Sequence, residues 1–492
     1  MQFCPDSRQS SLFHRDPLWR WLYLAQSALT AGELLTARLR NRSHDATDVL
    51  PVTCCCDDFP AFGQNKIAIV NVTVIDGTDH PPRTNATVIV QGKEIEAITI
   101  ASRNPPMDAK IVDGTGKVLI PGLWNNDLHG PAYGDAKAPL LSLVSYGVTT
   151  VRDMGASLDD IVRLRAATAS RALVGPRLFV AGPLMEGPVP IKMALIVDLF
   201  SEQQAREEVR NLKQHGVDYV EVDTTLTPEL YWAIADEARK QGLRLVGHIP
   251  PKIGAASIVQ ADQKNVEHLG GRFLNVLVAC SSDEDYFMGT LGLIYDDVLK
   301  AVSEGKQPSR ELQLTANFDK RLLDTFDENK AQRLFHLYAK NGVAQTPTLS
   351  VLKTLWETNP QNHPTEEDTA YGKKIFAKDL EVVREMKRAG VPILAGTDGA
   401  YPQGGEALHG ELELLVQAGL TPLEALQSAT RDAAQFMGVS KSVGTVEQGK
   451  IADLVLLDAN PLESISNTRR IVGVFLQGQF FSKDELLTMR GH

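Results

Sequence analysis

The sequence has no run of about 18 or more apolar residues, the length that a helix needs to cross a membrane, so no membrane span is expected. It has no long cluster of lysine and arginine, and its formal net charge is −11, which argues against a nucleic-acid partner. Its five cysteines include three adjacent ones, Cys54, Cys55 and Cys56, without CxxC spacing. This pattern excludes a disulfide framework and disfavours a structural zinc site.

The sequence also lacks a basic region, an apolar region and a cleavage site in the order of a signal peptide. We therefore expect a cytoplasmic protein. With nucleic acid and membrane disfavoured, the partners that we expect are a small molecule and further copies of the same chain in a homo-oligomer. Within residues 1–63, WLYLAQSALTAGELLTARLR has the pattern of one amphipathic helix, but TCCCDDFPAFG follows without a periodic pattern, so the segment is interpreted as a flexible N-terminal extension.

The remaining chain has the pattern of a large α/β protein. Its 492 residues allow one large domain with an appendage, or two to three smaller domains. From Lys66, β-rich runs such as KIAIVNVTVIDG are broken by glycine and proline, and RIVGVFLQGQFF near the other end is similar. Both stretches predict short antiparallel strands. Between them, β-branched runs alternate with helical patterns, which is typical of a parallel sheet.

Eight buried-strand candidates follow one another in this central part. They are residues 119–129, 149–155, 177–182, 217–222, 244–249, 265–270, 344–349 and 393–398. Helix-start signals lie between some of them, at Ser201 with Gln204, at Thr227-Pro228 and at Thr421 with Glu424. This alternation predicts a (β/α)8 barrel, whose active site would lie at the carboxyl ends of the strands. Residues 280–335 exceed a usual connection and predict extra helices or a lid.

Ionisable residues stand at the ends of five of these strands. They are Asp127 and His129, Glu221, His248, His268 and Asp398. Imidazole and carboxylate groups are the ligands that zinc prefers, and a catalytic zinc site keeps a position open for water. A metal-bound water with a lowered pKa, beside a carboxylate that accepts its proton, is the equipment for hydrolysis.

Several motifs give the chain a wider resemblance. GKVLIPGLW, YGVTTVRDMG, GLRLVGHIP, NVEHLGG, VPILAGTDG and GTVEQGKIADLVLLDANPL together resemble the amidohydrolase superfamily, in the branch of imidazolonepropionase and prolidase-like dipeptidases. The resemblance covers about residues 64 to 485. It implies a distorted (β/α)8 TIM barrel at 121–439, and a small β-sandwich built from both chain ends, at 64–120 and 440–485.

The resemblance also implies site residues. His129, His248, His268 and Asp398 match metal-ligand positions of the family, and Asp398 also matches its catalytic base. Two ligand positions differ, because Asp127 stands where the family has a histidine and Glu221 stands where it has a carboxylated lysine. Asn125 also replaces an aspartate of the family's first strand.

These departures leave the number of metals open. Glu221 carries the charge of a carboxylated lysine, so Glu221, His248 and His268 are expected to hold one Zn²⁺ or another divalent cation per chain. A second site formed by Asp127, His129 and Asp398 is the alternative.

The expected activity is hydrolysis of an amide or cyclic amide C–N bond in a small or dipeptide-like molecule. A catalytically inactive barrel, or a lyase or ester hydrolase on the same site, stays open.

Two other features have a structural interpretation. Arg152 and Asp153 at the end of the second strand predict a buried ion pair. His409 follows the last strand and is interpreted as a structural residue.

Overall fold

The computed structural model describes residues 66–100, 106–130, 136–187, 194–270, 275–304, 316–358 and 365–490. The predicted extension at 1–63, with its three adjacent cysteines, lies outside these ranges. Within them, no helix combines the length and the apolar character that a membrane crossing requires.

The strands of the described chain are short. They are β1 (Lys66–Val74), β2 (Arg83–Gln91), β3 (Glu94–Ile100), β4 (Lys110–Asp113), β5 (Val118–Pro121), β6 (Leu123–His129), β7 (Val148–Asp153), β8 (Arg177–Val180), β9 (Leu184–Glu186), β10 (Ile196–Asp198), β11 (Tyr219–Val222), β12 (Arg244–Gly247), β13 (Asn265–Glu267), β14 (Ala344–Thr346), β15 (Gly399–Ala400), β16 (Leu454–Leu457), β17 (Ile471–Leu476) and β18 (Gln479–Ser482).

Helices alternate with the central strands. They are α1 (Lys137–Ser145), α2 (Leu158–Ala169), α3 (Glu202–Gln214), α4 (Pro228–Gln241), α5 (Asn275–Ala279), α6 (Glu284–Ser303), α7 (Ala316–Asp324), α8 (Glu328–Asn341), α9 (Leu349–Lys353), α10 (Glu366–Arg388), α11 (Tyr401–Gln417), α12 (Pro422–Ser428), α13 (Arg431–Phe436) and α14 (Lys483–Arg490). The helices α6, α7 and α8 fall where the sequence predicts extra helices.

Both chain ends contribute to one sheet, which we name the terminal sheet. Its strand order is β18-β17-β16-β5-β1-β2-β3, with β4 beside β1. β5 and β16 run antiparallel, with Pro121 opposite Leu454. Alternate residues of these strands, such as Ile69, Val88 and Leu456, form an apolar core of their own. The terminal sheet therefore joins the two segments that the sequence assigns to a β-sandwich.

The central strands pair in parallel, as the alternating pattern predicts. The pairings form three groups: β15-β6-β7-β8, β10-β9-β11-β12 and β13-β14. Single backbone hydrogen bonds connect the groups: Asp218 N donates to Val180 O at 2.9 Å, and Lys264 N donates to Leu245 O at 2.7 Å. The architecture is a mixed α/β fold, in which the paired strands of the described chain do not form one continuous closed sheet.

The eighth predicted strand, 393–398, is wrong as a continuous strand. Ile393 makes an isolated bridge with Gln345, and regular pairing resumes only in β15. Asp398 has a φ of 47°, in the left-handed region, which interrupts an extended strand. His268 is also in the left-handed region, with a φ of 50°. β13 therefore ends before that histidine, and the predicted strand 265–270 is too long.

The predicted helix starts are confirmed. The Ser201 hydroxyl accepts from Gln204 N, and the Thr227 hydroxyl accepts from Leu230 N. Thr421 and Glu424 form a complete capping box at the start of α12. Each cap satisfies amides that a helix leaves unpaired at its first turn.

His409 lies in the core, as its structural interpretation expects. It is 0% exposed, and its ring nitrogens contact Thr468 Oγ1 at 3.0 Å and Tyr146 O at 3.1 Å. Burial lowers the pKa of His409 to about 3, from an ordinary value of 6.5. The imidazole of His409 is therefore neutral in the folded protein at ordinary pH.

This burial predicts a specific acid sensitivity. The unfolded state binds a proton at His409 below pH 6.5 and the folded state does not, so stability is full above that pH and falls toward pH 3. From pH 7 to pH 5 the wild type should lose about 2 kcal/mol more than His409→Gln, measured by urea unfolding. His336→Gln, at an exposed histidine, controls for loss of an imidazole. Equal acid slopes for wild type and His409→Gln would contradict the prediction.

Candidate metal centre

Backbone hydrogen bonds hold the end of β6 against the segment after Ile393. Thr397 N and Asp398 N both donate to the Asp127 carbonyl, at 3.2 and 2.9 Å. β15 then pairs in parallel with β6, with Ala400 opposite His129. Asp127 and His129, two residues apart on one strand, share a face and meet Asp398 there.

The side chains of these three residues form a compact group. His129 Nε2 lies 3.0 Å from Asp398 Oδ1. One ligand atom from each of Asp127, His129 and Asp398 lies within 4.8 Å of the other two, and within the described ranges this is the one such group of three. We name it the Asp-His-Asp group.

Two atoms of the group have no hydrogen-bond partner although they are buried: Asp127 Oδ2 and His129 Nδ1. A buried carboxylate oxygen without a partner is costly unless a proton or a cation satisfies it. Two carboxylates and an imidazole are a donor set that a divalent cation such as Zn²⁺ accepts. The residues present therefore fit a metal.

The ionisable side chains of the Asp-His-Asp group shift one another's pKa values. Burial, together with the charges of Asp398 and Glu267, raises the pKa of Asp127 well above its ordinary value. Burial acts to raise the pKa of Asp398, but His268 and His129 outweigh it and hold that pKa low. Burial acts to lower the pKa of His129, but the carboxylate of Asp398 outweighs it and raises that pKa to about 9. Asp398 is thus the carboxylate that stays ionised.

Two further histidines border the group. His268 Nε2 lies 3.6 Å from Asp398 Oδ2 and 3.9 Å from Asp127 Oδ2. The rings of His248 and His268 meet edge to face, with centroids 5.0 Å apart. Burial lowers the pKa of His268 to about 4, so its imidazole is neutral near pH 7. His248 Nδ1 lies 2.7 Å from Asp223 Oδ1, a carboxylate contact that orients the ring.

Glu221 lies on β11 and is buried, with Oε2 lacking a hydrogen-bond partner. Burial and the charges of Glu267 and Asp127 raise the pKa of Glu221 well above its ordinary value. Within the described ranges, Glu221, His248 and His268 do not form a group of three closely spaced ligand atoms. The sequence-favoured set of metal ligands thus stays a prediction.

The predicted ion pair between Arg152 and Asp153 is absent from the contacts of these described residues, because neighbours on a strand point to opposite faces. Arg152 Nη2 instead donates to Asn265 Oδ1 at 3.0 Å and lies 3.5 Å from Glu267 Oε1. Asp153 Oδ2 accepts from the Tyr401 hydroxyl at 2.7 Å. Arg152 therefore supplies a buried positive charge close to the carboxylates of Glu267 and Asp127.

Sequence reasoning missed three residues that shape the centre. Glu267 precedes His268, and Asp223 follows β11, so both stand beside predicted ligands and were accessible to a closer search of the strand ends. Thr348 contacts His268 Nδ1 from 80 residues away along the chain. No local pattern marks that contact.

The sequence matches one protein family model and is similar to two characterised enzymes. Residues 119–481 match the model of the Amidohydrolase family. The chain is 23% identical over 457 residues to ochratoxinase from Aspergillus niger, covering 85% of this chain and 87% of that protein. It is 27% identical over 223 residues to imidazolonepropionase from Pyrobaculum arsenaticum, covering 43% and 49% respectively.

A solved structure extends the similarity to the fold. A putative prolidase from Bifidobacterium longum superposes with a TM-score of 0.62 at 23% identity, covering 87% of this chain and 100% of that one. Together with the family match, this implies a fold similar to a TIM barrel.

Proposed function

Since the chain belongs to the amidohydrolase family, we propose that it hydrolyses the C–N bond of an amide or cyclic amide in a small or dipeptide-like molecule. The observation that carries the proposal is the Asp-His-Asp group, with its ligand atoms within 4.8 Å of one another. Relatives named ochratoxinase and prolidase fit an activity on amides.

We assign one divalent cation per chain, Zn²⁺ or a similar ion, to Asp127, His129 and Asp398. Sequence reasoning favoured Glu221, His248 and His268 instead. The reason for the change is geometric, because the gathered ligand atoms belong to the Asp-His-Asp group. When bound, a divalent cation supplies Lewis-acid activation of water and of the substrate carbonyl.

Asp398 is the residue of the chain to which we assign the proton transfers. Asp398 stays ionised, so its carboxylate accepts the proton from the attacking water and passes it to the leaving amine. The oxygen free for this step is Oδ2, because Oδ1 contacts His129. His268 borders that oxygen: its imidazole is neutral near pH 7, and its Nε2 lies 3.6 Å from Oδ2.

We also propose the frame in which the site lies: a distorted (β/α)8 barrel at 121–439, with 64–120 and 440–485 as the second domain. Backbone hydrogen bonds between the parallel groups support it. Beyond those at Asp218 and Lys264, Leu394 N donates to Gln345 O at 2.9 Å and Asn126 N donates to Ala395 O at 2.9 Å.

Metal content separates the two ligand sets. The protein purified after growth with added zinc is expected to hold about one equivalent by elemental mass spectrometry. Asp127→Ala should lose that metal because it removes a ligand of the Asp-His-Asp group, whereas Glu221→Ala should keep it. His409→Gln removes a buried histidine outside the site and serves as the matched control. Circular dichroism checks that each variant is folded.

Each other outcome has a definite meaning. Loss in Glu221→Ala with retention in Asp127→Ala would return the metal to Glu221, His248 and His268. Absence of metal from the wild type would leave a barrel that acts by binding alone. Turnover is measured by mass spectrometry on N-acyl amino acids, dipeptides and cyclic ureides. A folded, metal-loaded protein that cleaves esters and no amide would refute C–N hydrolysis.

A further inference from the structure

Thr348 occupies the residue before α9, the position where a threonine side chain usually caps a helix. Its hydroxyl makes no cap bond. The hydroxyl instead donates to Pro347 O at 2.8 Å and contacts His268 Nδ1 at 2.5 Å. Thr348 has a φ of 46°, an unusual left-handed conformation for a β-branched residue. Such strain persists only where surrounding contacts impose it.

The amides that Thr348 leaves uncapped are satisfied by a different helix. Glu411 on α11 accepts from Leu349 N through Oε1 and from Ser350 N through Oε2, both at 2.8 Å. Glu411 and Thr348 are both 0% exposed. A carboxylate at the first turn of a helix satisfies amides that have no partner inside the helix. Glu411 therefore satisfies first-turn amides of α9, the role that an N-cap side chain has in other helices.

The hydroxyl of Thr348 has one hydrogen, and Pro347 O can only accept it. Toward His268, then, Thr348 Oγ1 acts as an acceptor and His268 Nδ1 carries the proton. In a neutral imidazole the other nitrogen, Nε2, has a free lone pair. That atom lies 3.6 Å and 3.9 Å from carboxylate oxygens of Asp398 and Asp127. A bare Nε2 leaves no ring proton between His268 and these two carboxylates of the Asp-His-Asp group.

We propose that Glu411 is a positioning residue of the metal centre: by capping α9 in place of Thr348, it frees the Thr348 hydroxyl to hold His268 in the tautomer with its proton on Nδ1. The inference rests on the proposed function for its catalytic meaning. The tautomer itself is a property of the protein without metal.

The tautomer is read directly by NMR of protein labelled with ¹⁵N-histidine, after removal of metal with EDTA. The chain has 11 histidines, and His268→Gln identifies the signal. The experiment is run at pH 8, because burial raises the pKa of Glu411 to about 7 and the carboxylate must be ionised. The wild type is expected to show a bare Nε2 and a protonated Nδ1. A proton on Nε2 in the wild type would overturn the proposal without any variant.

The variants test the route through Thr348. Glu411→Gln should shift His268 toward a mixture of tautomers, since the Thr348 hydroxyl turns to the uncapped amides. Thr348→Val should do the same, and Thr348→Ser should restore the wild-type signal. Glu424→Gln, at the capping glutamate of α12, is the matched control and should change nothing. Glu411→Asp replaces Glu411→Gln if the latter does not fold. An unchanged His268 signal in a folded Glu411 variant would refute the role.

Kinetics supply the second measurement. Glu411→Gln should lower kcat about 10- to 100-fold on the amide that the wild type cleaves best, with little change in KM. The double variant Glu411→Gln/Thr348→Val should be no slower than Thr348→Val alone, because both changes act on one path. Additive losses would overturn that path. If the wild type cleaves no amide, the proposed function fails, while the tautomer measurement still decides the role of Glu411.

Discussion

Asp398→Asn is expected to lower kcat for amide hydrolysis by about 10²- to 10⁴-fold, since an amide cannot accept the proton of the attacking water. The fold should survive the change. Asp398 has a φ of 47°, and asparagine tolerates this left-handed conformation as well as aspartate does. Steady-state kinetics on the best amide substrate, with thermal melting as the check on folding, measure the effect.

The matched control is Asp379→Asn on α10. Asp379 is also a fully buried aspartate, but it lies outside the Asp-His-Asp group. Its variant should keep the wild-type kcat whatever happens to stability. Turnover left unchanged by Asp398→Asn would remove this aspartate from the chemistry and would refute the proposed mechanism.

Gly247→Ala is expected to reduce the free energy of unfolding by about 2–6 kcal/mol, the sum of backbone strain and overpacking. Gly247 has a φ of +117°, and a Cβ there would lie 2.2 Å from the carbonyl oxygen of Val222. Backbone atoms of a paired strand cannot yield as a flexible side chain does. Because His248 N also donates to Val222 O, the clash falls on the residue pair that places His248. Denaturant unfolding measures the loss.

Gly242→Ala separates the two contributions. Gly242 has a φ of +65° at the end of α4, and a Cβ there meets nothing within 4 Å. Its variant should cost only about 1–2 kcal/mol, the penalty of the left-handed conformation. If Gly247→Ala cost no more than Gly242→Ala, the close approach to Val222 would have no energetic weight.

The sequence predicts the site best where one short stretch carries the signal. Asp127 and His129 share a face because of their spacing alone, and the caps at Ser201, Thr227 and Thr421 follow from local hydrogen bonding. The family resemblance, carried by motifs such as NVEHLGG and VPILAGTDG, is confirmed by the match over residues 119–481.

Other features depend on contacts between distant segments. The ligand atoms of the Asp-His-Asp group come together because Thr397 N and Asp398 N donate to the Asp127 carbonyl. Neither segment by itself predicts that contact. The left-handed Asp398 ends what the apolar pattern predicts as a strand, because periodicity records burial and not the sign of φ. Glu411 is 62 residues from the Leu349 amide that it caps.

The terminal sheet also bears on how the chain is made. β5 leaves the ribosome early, but its antiparallel neighbour β16, with Leu454 opposite Pro121, is among the last strands to emerge. Until β16 is made, the edge of β5 that β16 will pair with has unpaired amides and carbonyls. Strands of neighbouring nascent chains can pair with such an exposed edge. β6 and β7 can pair soon after they appear, whereas the terminal sheet is complete only when β16, β17 and β18 are available. Completion of the terminal sheet is thus a late step of synthesis, and it is the step that removes this exposed edge.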